Sequence, residues 1–176
     1  MEERESLDTH ALDERTAACV SIAWVILLNK PVYPLYVWWL VGPAAIAGSL
    51  PTAISGLAYA AMILFARRAP YPVRLALPLT GLADTLLATK LFGPAAGTEL
   101  FLVPCALLAA VLFSPAEYVT RRALFALLFA LTVGLHGRYG APLAGWPEGD
   151  GAKLFDLNAL AVASLTAFTG FRFSRL

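Results

Sequence analysis

The sequence predicts an all-α, polytopic membrane protein: a bundle of six transmembrane helices with both termini on the cytoplasmic side. Two observations support this fold class. First, 59% of the 176 residues are hydrophobic and only 14% are charged, whereas a soluble domain carries about 25% charged residues. Second, six of the twelve acidic residues lie within the first fifteen positions. The rest of the chain consists of long apolar stretches separated by short basic loops. This pattern is typical of multi-pass membrane proteins.

The predicted domains follow the same division. Residues 1–12 form an acidic polar tail, residues 13–172 the transmembrane helical domain and residues 173–176 a short cytoplasmic end. The tail lacks the basic region, the short apolar core and the small-residue cleavage site of a signal peptide, so we expect no cleaved leader.

The first two predicted spans flank a cluster of aromatic residues. A span needs about 20 apolar residues, and the first one covers residues 16–29, where a Lys-Pro dipeptide ends it. Residues 32–39 are rich in Tyr and Trp, which accumulate at a membrane–water boundary. If residues 32–66 form one kinked helix with an aromatic beginning, the chain has six spans. A tight hairpin at residues 48–51 would make seven possible; we favour six.

Four further spans follow, and basic residues orient them. The spans cover about residues 73–92, 97–113, 119–135 and 154–170. With either count of spans, the arginines after the second span all fall on one side of the membrane, apart from Arg138; they are Arg67, Arg68, Arg74, Arg121, Arg122, Arg172 and Arg175. Because short cytoplasmic loops are enriched in Lys and Arg, this side is predicted to be cytoplasmic. We expect the protein in a bacterial cytoplasmic membrane.

Polar residues in the outer part of the bundle are the candidate ligand-binding residues. A charged side chain at the centre of a bilayer costs about 2.5–3.5 kcal/mol on insertion scales. Asp84 lies past the midpoint of the third span, with Thr85 beside it. Glu99 begins the fourth span, His136 ends the fifth and Asn158 lies near the start of the sixth. The predicted topology places all five in the outer third, where they could line a pocket that opens outward.

These residues also have a simpler interpretation. Glu99 and His136 suit the membrane surface, where water and lipid headgroups solvate them, and Asn158 suits a hydrogen bond between helices. The depth of Asp84 makes solvation harder. The sequence therefore leaves a ligand site and ordinary interfacial or packing roles both open.

No metal site, cofactor or catalytic motif is expected. His136 is the single histidine of the membrane domain, and Cys19 and Cys105 stand alone within apolar stretches. The spacing that zinc or bis-histidine haem ligands require is therefore missing. No basic stripe points to nucleic acid as a partner.

Four features, mainly within residues 51–172, resemble a known family. A long span over residues 57–68 ends in an Arg-Arg pair, and a span with an internal aspartate leads into LFGPAAGTELFLVPCALLAAVLF. A short SPAEYVTRR loop follows, and the last span begins LFDLNALAVASL. Together they resemble the six-helix membrane module that precedes the catalytic domain of many bacterial class III adenylate and guanylate cyclases. Related modules precede diguanylate cyclases and some histidine kinases.

The resemblance implies a non-enzymatic sensor and anchor that dimerises in the lipid bilayer. Such a module relays a membrane or periplasmic signal to a cytoplasmic output domain. In the family a helical linker and a catalytic domain follow the last span, whereas this sequence ends at FTGFRFSRL. We therefore expect the output in a longer chain or in a cytoplasmic effector. Two other functions stay open: an accessory subunit of a larger membrane complex, and a small dimeric transporter with Asp84 as its coupling carboxylate.

Overall fold

The computed structural model describes residues 12–43, 46–144 and 150–174, and every regular element within them is helical. The helices, in chain order, are α1 (Glu14–Asn29), α2 (Tyr33–Val41), α3 (Ile46–Phe65), α4 (Pro70–Phe92), α5 (Thr98–Val111), α6 (Pro115–Leu135) and α7 (Asp150–Phe173). The first turns of α5 and α6 are 3-10 helical. The all-α prediction is confirmed for these residues. The predicted acidic tail, apart from Leu12, and the last two residues of the predicted 173–176 end lie outside the described residues.

Within the described residues, four helices are long and apolar enough to cross a membrane. They are α3, α4, α6 and α7, with 20 to 24 residues each. At about 1.5 Å per residue they reach about 30 Å or more, which is the thickness of a hydrocarbon core. α1 and α2 together would make a fifth span, bent by 40° at their junction. α5 is shorter, at about 21 Å by the same rise. The helices are thus compatible with a multi-pass membrane protein.

The aromatic stretch forms a helix of its own, α2, and does not open α3. Pro31 has no amide hydrogen to donate, so α1 ends just before it and α2 resumes just after it. Gly42, with a φ of 112°, ends α2, and the next helix is α3. The expectation that residues 32–66 form one kinked helix is therefore wrong. A hairpin at residues 48–51 is absent too, since they lie inside α3.

The helices pack around two apolar clusters. The larger cluster joins α1, α3, α4, α5 and α6 and includes the buried side chains of Tyr59 and Leu77. The smaller cluster joins α2, the end of α4 and the start of α7 around Val37 and Leu154. The remaining helix faces present many exposed large apolar side chains, as expected of a surface that contacts lipid.

The chain passes back and forth between two ends of the bundle. At one end, a cleft is lined by Arg15, in the first turn of α1, and by Phe173, the last residue of α7. At the other end the Lys90 ammonium of α4 donates to the backbone oxygen of Tyr139, 2.7 Å away in the segment after α6. We name the first the arginine-rich end, because it carries Arg15, Arg67, Arg68, Arg74, Arg121, Arg122 and Arg172. The second is the opposite end.

Candidate functional site

Asp84 lies where three parts of the bundle meet. Its Oδ2 accepts a hydrogen bond from Lys30 Nζ, 2.7 Å away at the break between α1 and α2. The same oxygen accepts a second hydrogen bond from the Tyr59 hydroxyl of α3, at 2.9 Å. The Lys30 ammonium also lies 5.7 Å from the centre of the Tyr59 ring. These three residues form the Asp84 cluster.

The cluster lies well inside the bundle. Asp84 is about 12 Å from the end of α4 at Phe92 and about 21 Å from its start at Pro70, given the helical rise. The side chains of Lys30 and Asp84 are only 15% and 16% exposed. A carboxylate at such a depth needs a partner cation. Lys30 supplies it because the proline-induced break at Pro31 places the lysine beside α4.

Thr85 does not join the Asp84 cluster. Its hydroxyl donates to the backbone oxygen of Gly81, 2.8 Å away in the same helix. The Thr89 hydroxyl donates to the Thr85 backbone oxygen in the same manner and lies 2.8 Å from the Thr98 hydroxyl. The hydroxyl of Thr85 is thus satisfied within α4, and the next threonine ties α4 to the start of α5.

Glu99 and His136 meet at the opposite end. The Nδ1 atom of His136 lies 3.1 Å from Oε2 of Glu99, with the histidine 74% exposed and the glutamate 21% exposed. The contact joins the start of α5 to the end of α6, and it becomes a full ion pair when His136 is protonated. Burial, and then the neighbouring Glu99 carboxylate, raise the pKa of the Tyr139 hydroxyl above its ordinary value.

Asn158 connects three segments by hydrogen bonds. Its side chain is fully buried, and its Nδ2 donates to the backbone oxygen of Ala96 at 2.8 Å. Its Oδ1 accepts a hydrogen bond from the Tyr33 hydroxyl at 3.3 Å. α7 is thereby joined to the turn between α4 and α5 and to α2. This is the interhelical hydrogen bond that the simpler interpretation expects.

The five sequence-predicted residues therefore do not share one pocket. Asp84 belongs to a buried ionic cluster, while Glu99 and His136 form an exposed pair. Asn158 ties helices, and Thr85 bonds within its own helix. The structure thus brings together two of the five, and ligand binding by any of them stays a prediction.

Two arginines bind the end of α5 at the arginine-rich end. Arg15 Nη1 donates to the backbone oxygens of Val111 and Phe113. Arg74 Nη1 donates to the backbone oxygen of Leu112 at 3.0 Å. The last carbonyls of a helix have no intrahelical partner, and a cation placed there also complements the helix dipole. α1 and α4 are thereby both fastened to the same helix end.

Arg74 also forms a two-point ion pair with Glu117. Its Nη1 and Nη2 atoms lie 3.1 and 2.8 Å from the two carboxylate oxygens. Glu117 in turn accepts a hydrogen bond from the backbone nitrogen of Ser114 at 2.7 Å and completes a capping box before α6. This arrangement fixes the connection between α5 and α6 to the start of α4.

Asp13 caps the first turn of α1. Its Oδ1 accepts a hydrogen bond from the Thr16 backbone nitrogen at 2.9 Å, and the Thr16 hydroxyl donates to its Oδ2. Burial alone would raise the pKa of Asp13, but the hydrogen bonds from Thr16 and the nearby Arg74 charge outweigh it. The pKa of this carboxyl therefore lies below its ordinary value.

The sequence does not predict Lys30 and Tyr59 as partners of Asp84. It predicts only that the Lys30-Pro31 dipeptide ends the first span. One signal could have found it: Lys30 stands between two apolar stretches that are each shorter than a span. An intramembrane cation of this kind needs a carboxylate, and Asp84 is the deep one. For Tyr59 we find no comparable signal in the sequence.

No family model, curated protein or solved structure matches this chain. Within the described ranges, no three His, Cys, Asp or Glu side chains come together in a way that could hold a metal ion. Cys19 and Cys105 are free and buried. The contacts of the Asp84 cluster and of the arginine-rich end are therefore the basis for inferring function.

Proposed function

We propose that this chain is a non-enzymatic sensor and anchor module of a bacterial cytoplasmic membrane, with six spans and both termini in the cytoplasm. It dimerises and relays a signal from the membrane or periplasm to a cytoplasmic output domain or partner. The candidate spans support a membrane location, and counting α5 with them gives six. The arginine-rich end supports the orientation, because cytoplasmic loops are enriched in arginine.

The observation that carries the proposal is that α1 and α4 are linked at two places, inside the bundle and at the arginine-rich end. Lys30, just beyond α1, is paired with Asp84 of α4 inside the bundle. At the arginine-rich end, Arg15 of α1 and Arg74 of α4 both bind carbonyls at the end of α5. A rotation or sliding of α1 against α4 that separates Lys30 from Asp84 therefore displaces groups at the arginine-rich end. Such a linkage is what a relay between the two membrane faces requires.

The chemistry of the Asp84 cluster suits a contact that switches between two states better than a contact that only stabilises the bundle. Desolvation of two buried charges opposes their attraction, so a buried ion pair adds little net stability compared with apolar packing. It does provide two distinct arrangements, paired and separated. A ligand passes a signal when it interacts differently with two such arrangements. The exposed Glu99–His136 pair is the group that we propose a periplasmic ligand contacts.

Site-specific photocrosslinking in native membranes tests this function. A photoreactive amino acid replaces Arg68, exposed at the arginine-rich end, or, as the control, Trp39, exposed on α2. We expect position 68 to capture a defined cytoplasmic protein, with a yield that changes in the Asp84→Asn variant, and position 39 to capture none.

Three results would argue against the proposal. Capture of a cytoplasmic protein from position 39 alone would show that the protein has the opposite orientation in the membrane. A yield at position 68 that is unaffected by Asp84→Asn would reject the relay. Stoichiometric capture of another membrane protein from both positions would identify the chain as an accessory subunit of a larger membrane complex.

Transport is the second candidate, and the break in the first span favours it. Transporters place coupling-ion sites at discontinuous helices inside the membrane, and Lys30 lies at such a break, against Asp84. Proteoliposomes that contain the purified protein and a pH-sensitive dye distinguish the two functions. If the protein conducts protons and Asp84→Asn abolishes this flux, the function is that of a small dimeric transporter. Absence of flux supports the sensor function.

A further inference from the structure

Two neighbouring clefts at the arginine-rich end differ in their charge. The first is lined by two guanidinium groups, of Arg15 and Arg74, and by three carboxylates, of Asp13, Glu14 and Glu117. Its positive charges are therefore offset, and Arg74 is directly paired with Glu117. Among the residues that the structure describes, the second cleft is lined by two arginines and by no carboxylate. Only the second of these two clefts thus favours an anion.

The second cleft combines cationic and apolar walls. Arg15 and Arg121 line it together with the apolar residues Val111, Pro115 and Phe173, which are at least partly exposed. It lies between the start of α1, the end of α5, the first turns of α6 and the end of α7. We name it the Arg121 cleft. Its composition matches an amphiphile with a negative head and an apolar tail.

Arg121 has unused hydrogen-bond donors. Its side chain makes no hydrogen bond or ion pair with another residue in the part of the chain that the structure describes. Arg15 is bonded to backbone oxygens of Val111 and Phe113. A guanidinium group presents five N–H donors in a planar fork that matches two oxygens of a phosphate group. Arg121 is therefore the group available to a ligand, while Arg15 adds positive potential beside it.

The end of α5 does not repel an anion at this place. The terminal carbonyls of a helix carry partial negative charge, and those of Val111, Leu112 and Phe113 border the cleft region. Arg15 and Arg74 cover these three oxygens. The local potential is thus set by the arginines.

We propose that the Arg121 cleft binds one anionic phospholipid. The phosphodiester accepts hydrogen bonds from Arg121, and an acyl chain lies along Val111, Pro115 and Phe173. Basic clefts between transmembrane helices bind such headgroups in other membrane proteins. A free phosphate shares the headgroup chemistry, but it would leave the apolar wall in contact with water. The proposal rests only on the membrane location of the chain. Its test is therefore independent of the signal relay.

Native mass spectrometry of the full chain in a neutral detergent tests this site. The protein is titrated with phosphatidylglycerol, which is anionic, and with phosphatidylcholine, which carries no net charge. Arg121→Gln is compared with Arg122→Gln, which removes the same charge from the adjacent position. Arg122 is exposed, lies 5.2 Å from the Tyr118 ring centre and does not line the cleft. Arg121→Lys retains the charge.

We expect the wild-type protein to prefer phosphatidylglycerol and to retain one lipid. Arg121→Gln weakens this binding about fivefold, the effect of one arginine near an anionic headgroup. Arg121→Lys keeps the charge but loses the planar fork, so it weakens binding less than Arg121→Gln, and Arg122→Gln stays close to wild type. Equal weakening by the two glutamine variants would overturn the site in favour of general attraction. Equal binding of both lipids by the wild type, or displacement of phosphatidylglycerol by inorganic phosphate, would overturn it without any variant.

Discussion

Lys30 and Asp84 are 54 positions apart in the chain, yet Nζ of the lysine lies 2.7 Å from Oδ2 of the aspartate. The contact joins the break in the first span to the interior of α4. Tyr59 from α3 donates to the same carboxylate oxygen, so three segments converge on one charge. Both partners are largely excluded from solvent, which makes their separation a distinct structural event.

A double-mutant cycle on Lys30 and Asp84 tests the energetics of this pair. Lys30→Met or Asp84→Leu alone leaves an unpaired buried charge and is expected to lower the free energy of unfolding by about 3–5 kcal/mol. The double variant Lys30→Met/Asp84→Leu leaves no charge, so it should lose much less than either single variant. Chemical unfolding in detergent measures all four proteins. Additive losses in the double variant would show that the two side chains do not interact.

Removal of the Tyr59 hydroxyl tests the second bond to Asp84. Tyr59→Phe keeps the ring but deletes a donor to a buried carboxylate, so we expect a loss of about 1.5–3 kcal/mol in the free energy of unfolding. Tyr36→Phe is the control, because Tyr36 is exposed on α2. Thermal unfolding of both variants in the same detergent makes the comparison, and equal melting temperatures would argue against the Tyr59–Asp84 hydrogen bond.

The turn between α4 and α5 depends on a glycine. Gly97 has a φ of 71°, and a Cβ atom there would lie 2.6 Å from Cδ2 of Phe155. Gly97→Ala should therefore cost about 1–2 kcal/mol for the left-handed backbone alone, with the contact to the ring in addition. Gly134→Ala is the control, since no described atom outside the neighbouring backbone of its own helix lies within 4 Å of its Cβ position. A Gly97 variant as stable as the Gly134 variant would mean that this turn has another conformation.

The Asp13 cap predicts a specific pH dependence. Its pKa is lower in the folded protein than in an exposed reference group, so the charged carboxylate stabilises the fold above its unfolded pKa of about 4. This contribution is lost as the pH falls through the lower folded value. Asp13→Asn retains a capping oxygen without titrating. We expect the stability advantage of wild type over this variant to shrink from about pH 5 to about pH 3, and an advantage independent of pH would contradict the assignment.

The fold class could be predicted from the sequence because it depends on local composition. Long apolar stretches specify helices of membrane-spanning length wherever they occur. The described part of the chain contains four such helices, or five if α1 and α2 count as one span. The sequence predicts the wrong boundary for the aromatic stretch, because it contains a proline on each side of it, Pro31 and Pro43, and a helix can end at either. The composition of residues 32–41 does not distinguish which neighbouring helix they belong with, whereas the structure ends α2 at Gly42, whose φ is 112°.

The candidate site could be predicted only in part. Asp84 stands out because a carboxylate inside an apolar stretch is rare, but its partners come from distant segments. The same holds for Arg15, which meets a carbonyl 96 positions away. Arginines near a helix end look alike in sequence, whether they face water or fasten another helix. Helix packing determines which arginine binds another helix, and no local sequence pattern predicts it.

In the proposed relay, the Asp84 cluster and the arginine-rich end change together. Hydrogen–deuterium exchange of the protein in lipid nanodiscs tests it most directly. Asp84→Asn is compared with Leu82→Ala, a variant of a buried core residue in the same helix. We predict faster exchange in residues 12–20 and 111–117 for Asp84→Asn and little change there for Leu82→Ala. Changes confined to residues near position 84, or the same distant changes in both variants, would contradict the relay.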